Sequence, residues 1–282
     1  MIKQLASASL LTLAIAAQPA LAQDAPATFD GLYISGAVSR DSIDSVANGL
    51  EFDSNRDGTF GDTLRVGNPT TGANAFSPGF CTGAANGNNA GAGCTGDEAD
   101  WGYAVRVGFD KRFGALVGGL LLEGAKSDAV DFETGFSTTP ASYTFARQVD
   151  KSIAARARLG VSPGDGRGLL YATGGVAYAD LDRAFTTTNT VNSFTLNEGD
   201  DDDMVWGWQG GAGGELVIGG GLTLGLEYLY SRYDDEDSFV AVGAGTALPS
   251  NPFLNNGGGT NLRPIDDRID HHSFRLTAGF QF

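Results

Sequence analysis

Histidine and cysteine are nearly missing from this chain, and lysine and arginine are scarce. Two cysteines and two histidines among 282 residues argue against a structural zinc centre, because Cys81 and Cys94 have no further Cys or His nearby to complete four ligands. Lys and Arg total 18 against 34 Asp and Glu, for a formal net charge of −16. A nucleic-acid partner needs a basic face, so this balance argues against one. Also missing is a run of about 20 apolar residues, the length that spans a bilayer as a helix. The longest candidate, Leu5–Ala17, is shorter and is broken by Ser and Thr.

That stretch reads instead as a secretory leader. Lys3 is a basic n-region, and Ala20-Leu21-Ala22 fits the small-residue cleavage pattern. Residues 1–22 are expected to be the signal peptide and 23–282 a single exported domain. In an oxidising compartment, Cys81 and Cys94 are expected to form a local disulfide. Glycine is abundant, 42 of 282 residues, roughly twice the usual share.

What fills the chain is alternation. "HHSFRLTAGFQF" at the end puts His272, Phe274, Leu276, Ala278, Phe280 and Phe282 on one face and His271, Ser273, Arg275, Thr277 and Gln281 on the other, the period of a strand. The same period recurs in Gly31–Ser39, Trp101–Phe109, Gly114–Ala125, Ser152–Val161, Gly168–Ala179, Val205–Val217 and Leu222–Ser231. The connections alternate long (about 40–100, 126–151, 180–204 and 232–270) and short. Segments of about 10 alternating residues with every second connection long are the signature of an up-and-down transmembrane β-barrel. The expected fold is all-β, an antiparallel barrel of eight strands with long extracellular loops. The first loop is long enough for another hairpin, so ten strands is the alternative. Trp101, Tyr103, Trp206, Trp208, Tyr228, Tyr230 and Phe274 fall toward the outer rim, and Phe109, Phe280 and Phe282 toward the periplasmic rim, as interfacial girdles do.

The leader end, "GLYISGAVS", "YAVRVGFDKRFG", "LLYATGGVAYAD" and the terminal "FRLTAGFQF" resemble the small outer-membrane β-barrel proteins of Gram-negative bacteria, of the OmpA-type barrel and the opacity- and immunogenic-type surface porins. The resemblance implies an outer-membrane location with loops facing the exterior. It also implies that the barrel-assembly machinery reads the last strand, with Phe282 as its key residue. OmpA itself carries a further domain that grips peptidoglycan; no such segment follows here, so no cell-wall tether is implied.

By parity, Arg106, Glu123, Arg156, Arg158, Glu215, Glu227 and Arg275 point inward. Eight strands leave a lumen about wide enough for side chains, so these near-balanced charges read as a polar plug, with a gated ion path as the alternative. The acid runs Asp200–Asp203 and Asp234–Asp237, with Asp266, Asp267 and Asp270, lie in expected outer loops. They suit either plain solvation or divalent-cation bridging to lipopolysaccharide. The expected role is structural or surface-interacting, with a porin-type channel as the alternative and a lipid-modifying enzyme as a further one. No enzyme is expected: His271 and Ser273 share the inward face without an evident orienting carboxylate. No cofactor is required, the oligomeric state is open, and a monomer is favoured.

One motif stays apart. "DSNRDGTFGD" begins like a calcium loop, with Asp53, Asn55 and Asp57 as side-chain ligands, Gly58 at the turn and Thr59 offering its carbonyl. It then departs, since Leu64 stands where a bidentate Glu is expected and Asp62 is the nearby replacement. Calcium held weakly in the first outer loop is one reading. A loop rich in Asx turns is the other.

Overall fold

The computed structural model describes residues 29–44, 49–97, 99–197, 204–235 and 238–282. The expected leader, the acid run Asp200–Asp203, and Glu236 and Asp237 lie outside the described residues. Among those described, no helix is long and apolar enough to cross a membrane. The strands in chain order are β1 (Gly31–Asp44), β2 (Leu50–Asp53), β3 (Gly79–Thr82), β4 (Ala84–Ala85), β5 (Cys94–Thr95), β6 (Asp100–Phe113), β7 (Leu116–Ser127), β8 (Val130–Ser137), β9 (Ala141–Val161), β10 (Gly168–Thr187), β11 (Ser193–Asn197), β12 (Met204–Gly219), β13 (Leu222–Asp234), β14 (Phe239–Gly243), β15 (Thr260–Pro264) and β16 (Arg268–Gln281).

Eight of these close a barrel. The pairing runs β1–β6–β7–β9–β10–β12–β13–β16 and returns to β1, antiparallel throughout. Closure leaves no strand edge facing lipid, which a hydrocarbon environment requires. Sequence parity holds on every barrel strand. Leu32, Val38, Trp101, Val105, Leu122, Ile153, Leu159, Leu170, Trp206, Leu216, Leu226 and Phe274 face outward and exposed, while Arg106, Glu123, Arg156, Arg158, Glu227 and Arg275 are buried inside. The expected short connections are tight; Gly114 (φ 66°) and Gly220 (φ 55°) take left-handed backbone there, which glycine adopts at little cost.

The expected long loops are corrected in one respect: they are folded. A lipid-spanning strand needs about 9–11 residues, yet β9 has 21 and β10 has 20. Their outer halves leave the barrel and pair with each other, and β8 and β3 extend that sheet. A second sheet, β11–β14–β15–β2, lies against it. Between the two sits an apolar core that includes Phe52, Phe76, Tyr143, Phe145, Val240, Val242, Phe253 and Leu262. The connections therefore build a small β-sandwich standing on one end of the barrel.

The passage from barrel to sandwich is a bulge. In the β9–β10 register Lys151 faces Asp180, and the next pair is Val149 with Leu181, so Asp150 is the extra residue. One extra residue reverses which face a strand presents. Below the bulge Ile153 and Leu159 point out to lipid; above it the odd positions Tyr143, Phe145, Arg147 and Val149 are buried.

Candidate functional site

Two charged layers fill the lumen. Glu123 is the hub of the upper one: its Oε2 accepts from Arg106 Nε at 2.9 Å and Arg156 Nη2 at 2.5 Å, and its Oε1 accepts from Arg275 Nη1 at 2.7 Å. Glu227 accepts from Arg106 Nη2 at 2.7 Å and from the Tyr171 hydroxyl at 2.8 Å. Arg156 is the least satisfied member, its Nη1 standing 3.8 Å from Glu227 Oε1. In the layer nearer the short turns, Arg158 bonds Asp110 and donates to Glu215 Oε1 at 2.9 Å. Its guanidinium lies 4.4 Å from the Tyr33 ring centroid and 5.2 Å from that of Tyr171, within cation–π range. Gly108 leaves room for Tyr33, since a Cβ there would meet its ring at 2.4 Å. Gly213 does the same beneath the Tyr171 hydroxyl, at 2.6 Å.

All seven inward charges expected from parity meet in these layers, and Asp110 joins them. With it, four arginines face four acids. Asp110, Tyr33 and Tyr171 were absent from the sequence-based set. Asp110 falls one residue past the expected end of its strand, although the parity of Arg106 already pointed it inward.

Apolar collars close both ends of the charged section. Toward the short turns, Phe29, Val117, Leu169 and Val217 pack with Tyr171. Toward the sandwich, Ile43, Val149, Leu181, Tyr233 and Ile269 pack together. Charges confined between apolar walls must be paired, because an isolated buried charge costs several kcal/mol.

His271 and Ser273 do share the inward face, and an acid missed in the sequence stands beside them. Asp41 extends β1 past its expected end; its Oδ1 accepts from Ser273 Oγ at 2.5 Å. His271 Nε2 lies 3.3 Å from Ser127 Oγ and 3.7 Å from Asp41 Oδ2. Arg275 Nε donates to Ser273 Oγ at 2.9 Å, so that hydroxyl braces the plug. The adjoining cavity is about 20 Å³, room for about one water and not for a substrate.

The outer acids divide. Asp235 is buried, accepting from Arg183 Nε at 2.9 Å and lying 3.7 Å from Arg147 Nη1, whose Nη2 holds Asp131 at 2.7 Å. Asp270 lies in β16 and takes both Arg232 Nε and Nη2, at 2.6 and 2.8 Å. Neither is the solvated loop acid expected from the runs: Asp270 is opposed by Arg232 across the β13–β16 pair, and Asp235, just past β13, is held by Arg183 of β10. Beside them, burial pushes the Glu133 carboxyl up to about 7, against a Gly49 N–H that donates to it. Burial and the charge of Asp131 raise Asp97 to about 6.

At Asp53–Asp62 the side-chain oxygens serve the loop itself. Asp53 accepts from the Asp57 and Gly58 amides, both at 3.1 Å, Asp57 from the Thr59 amide at 2.8 Å, and Asp62 from the Ser54 amide at 2.9 Å. The Asn55 side chain and the Thr59 amide hold Asp57 below the usual carboxylate range. Among the described residues no three His, Cys, Asp or Glu side chains are grouped as a metal would need. Cys81 and Cys94 are joined by a disulfide, their Cα atoms 6.5 Å apart. Phe282 follows β16, exposed, with its amide donating to Leu32 O at 2.9 Å and its ring packed on Phe280.

A family model described as the outer membrane protein beta-barrel domain matches residues 8–282. Among solved structures, OprG from Pseudomonas aeruginosa aligns over 92% of this chain and 99% of its own, with 12% identity and a TM-score of 0.49. The outer membrane protease OmpT from Escherichia coli aligns over 90% and 98%, with 9% identity and a TM-score of 0.42. The attachment invasion locus protein Ail of Yersinia pestis aligns over 90% and 99%, with 9% identity and a TM-score of 0.35. No curated protein sequence matches the chain.

Proposed function

Since the chain belongs to the outer membrane protein beta-barrel domain family, a family of the Gram-negative outer membrane, we propose that it is a sealed, non-enzymatic barrel that carries a folded interaction module outside the cell. The observation that carries this reading is the contrast along the barrel axis: charges paired in two layers, an apolar collar at each end, and a sandwich with its own core above them. A conducting path needs a continuous wet lumen, and the buried apolar residues of the two collars interrupt one, although Arg156 Nε and Nη1, between the collars, have no hydrogen-bond partner among the described residues. A lipid-modifying site finds no support in His271, which is buried against Asp41 and Ser127.

The sandwich stands at the end opposite the short turns, which in outer-membrane barrels face the periplasm, and this supports outward display. Divalent cations bridging the remaining exposed acids to lipopolysaccharide, and recognition of the Phe282 end by the assembly machinery, complete the proposal. Planar-bilayer recordings test the seal. Purified protein should give no stepwise conductance above the lipid background, and regular ohmic steps would replace this reading with the porin one. Protease added to intact cells should reach residues 244–259 and spare the 162–167 turn; the reverse pattern would refute outward display.

A further inference from the structure

The far tip of the sandwich holds a cavity that none of the foregoing uses. The connections 138–140, 188–192 and 249–253 enclose about 190 Å³. Beneath it the buried rings of Phe76, Tyr143 and Phe253 pack on one another, their centroids 5.2 to 6.0 Å apart. Its wall is hydroxyl and amide, with Thr139, Asn189 and Asn251 prominent, and no charged side chain lines it, although the chain carries a net charge of −16. An ionic ligand would find no counter-charge there. A space below the roughly 300–1,000 Å³ of pockets for drug-sized ligands suits a single small ring.

The wall is fixed before any ligand arrives. Asn189 Nδ2 donates to the Tyr143 hydroxyl and to Asn192 Oδ1, both at 3.0 Å, and its Oδ1 accepts from the Val191 and Asn192 amides at 2.9 and 3.2 Å. Asn251 Nδ2 donates to the same Asn192 oxygen at 3.1 Å, which commits one of its two amide hydrogens. The second hydrogen and the exposed Thr139 hydroxyl are the groups available to a ligand; the Tyr143 hydroxyl lies 3.4 Å from Ser137 Oγ, whose own proton goes to Thr139 O. Rigid walls lose little conformational freedom on binding.

We propose that this cavity binds one uncharged pyranose ring. A ring of that size matches the space, and its hydroxyls meet amide and hydroxyl groups without needing a counter-charge. The inference rests on the outward display proposed above, which would present the cavity to glycans outside the cell.

Saturation-transfer-difference NMR on the whole protein tests it, in a zwitterionic detergent because maltoside and glucoside head groups would compete. Methyl pyranosides should show transfer, and glucuronic and sialic acids should not. A disaccharide presenting the same ring at its end and binding as tightly assigns a glycan terminus. Binding by the monosaccharide alone assigns a free sugar. Asn251→Ala should weaken binding about tenfold, the scale of a lost buried hydrogen bond, and Thr139→Trp, a change at the exposed rim, should abolish it. Both variants must keep the parent's loop proteolysis pattern, and Thr139→Trp stays informative if Asn251→Ala loosens the tip. Absence of transfer from every uncharged pyranoside, equal transfer from the charged sugars, or parental affinity in Thr139→Trp overturns the proposal. Since binding is read on purified protein and display on intact cells, failure of one is distinguishable from failure of the other.

Discussion

The barrel and the sandwich share strands β9 and β10 but are built on opposite rules. In the barrel, apolar side chains such as Ile153, Leu159 and Leu170 face outward and the inside is held by Arg–carboxylate pairs. In the sandwich, Tyr143, Phe145, Val242 and Leu262 are inside, while Asp182, Ala184 and Thr186 are exposed. Period-2 alternation writes both. The difference is the solvent: lipid accepts the apolar face, and water rejects it. The single extra residue at Asp150 lets β9 cross from one rule to the other without a loop.

The comparison breaks most sharply at Glu123. Glu123→Ala leaves Arg106, Arg156 and Arg275 facing one another around a missing carboxylate, and stripping one partner from a buried pair costs about 3–5 kcal/mol. The urea midpoint for barrel unfolding in micelles should fall accordingly, with the sandwich's protease resistance lost only as the barrel opens. Leu262→Ala should do the converse. Removing a fully buried leucine costs about 2–5 kcal/mol, so limited proteolysis should cut the outer strands sooner while the heat-dependent gel shift of the barrel stays put.

The third prediction sharpens the contrast with pH. Glu133 has its folded value raised from 4.5 to about 7, so between those values the folded sandwich binds a proton that the unfolded chain has released. Sandwich stability should therefore fall as pH rises from about 4.5 to about 7 and level off above, by an amount on the order of 3 kcal/mol. Half-buried Asp97 adds to the fall with the same sign. Outer-strand proteolysis followed against pH should show the slope in the parent and lose most of it in Glu133→Gln. A flat parent profile would contradict the burial of that carboxyl. The smallest effect is expected at Asp53–Asp62, where the turn amides already occupy the carboxylate oxygens. Isothermal titration with calcium should give the same heats for the parent and for Asp53→Ala/Asp57→Ala. Heat present only in the parent would assign the loop to calcium.

The barrel was legible because the lipid-facing stretch of most strands is apolar on one face, and because every second connection is short. The lumen was legible by parity wherever a strand's apolar face continued. Asp41 and Asp110 escaped because the outward face turns charged beside them, at Arg40 and Lys111, so the clear alternation stops while the strands continue in the sheet. Tyr33 and Tyr171 escaped because an inward tyrosine looks like a misplaced outward one until a buried arginine is known to need its ring. The sandwich was hidden for a different reason. "YTFARQV" alternates, but the bulge at Asp150 puts it out of phase with "SIAARARLGV", so the two read as separate segments. The facing sheet uses four- and five-residue strands, Leu50–Asp53, Phe239–Gly243 and Thr260–Pro264, and Leu50–Asp53 pairs with Thr260–Pro264 from the far end of the chain, a register that no local pattern reveals.

Hydrogen exchange on the folded protein in micelles, read by mass spectrometry, tests most directly that the outer connections form a second cored structure. Strands 141–149, 181–187, 239–243 and 260–264 should be protected well beyond the tip segments 66–72 and 244–250, and protected separately from the barrel, so that Leu262→Ala erases their protection alone. Exchange in those four segments as fast as in the tips, beneath a fully protected barrel, would contradict the account.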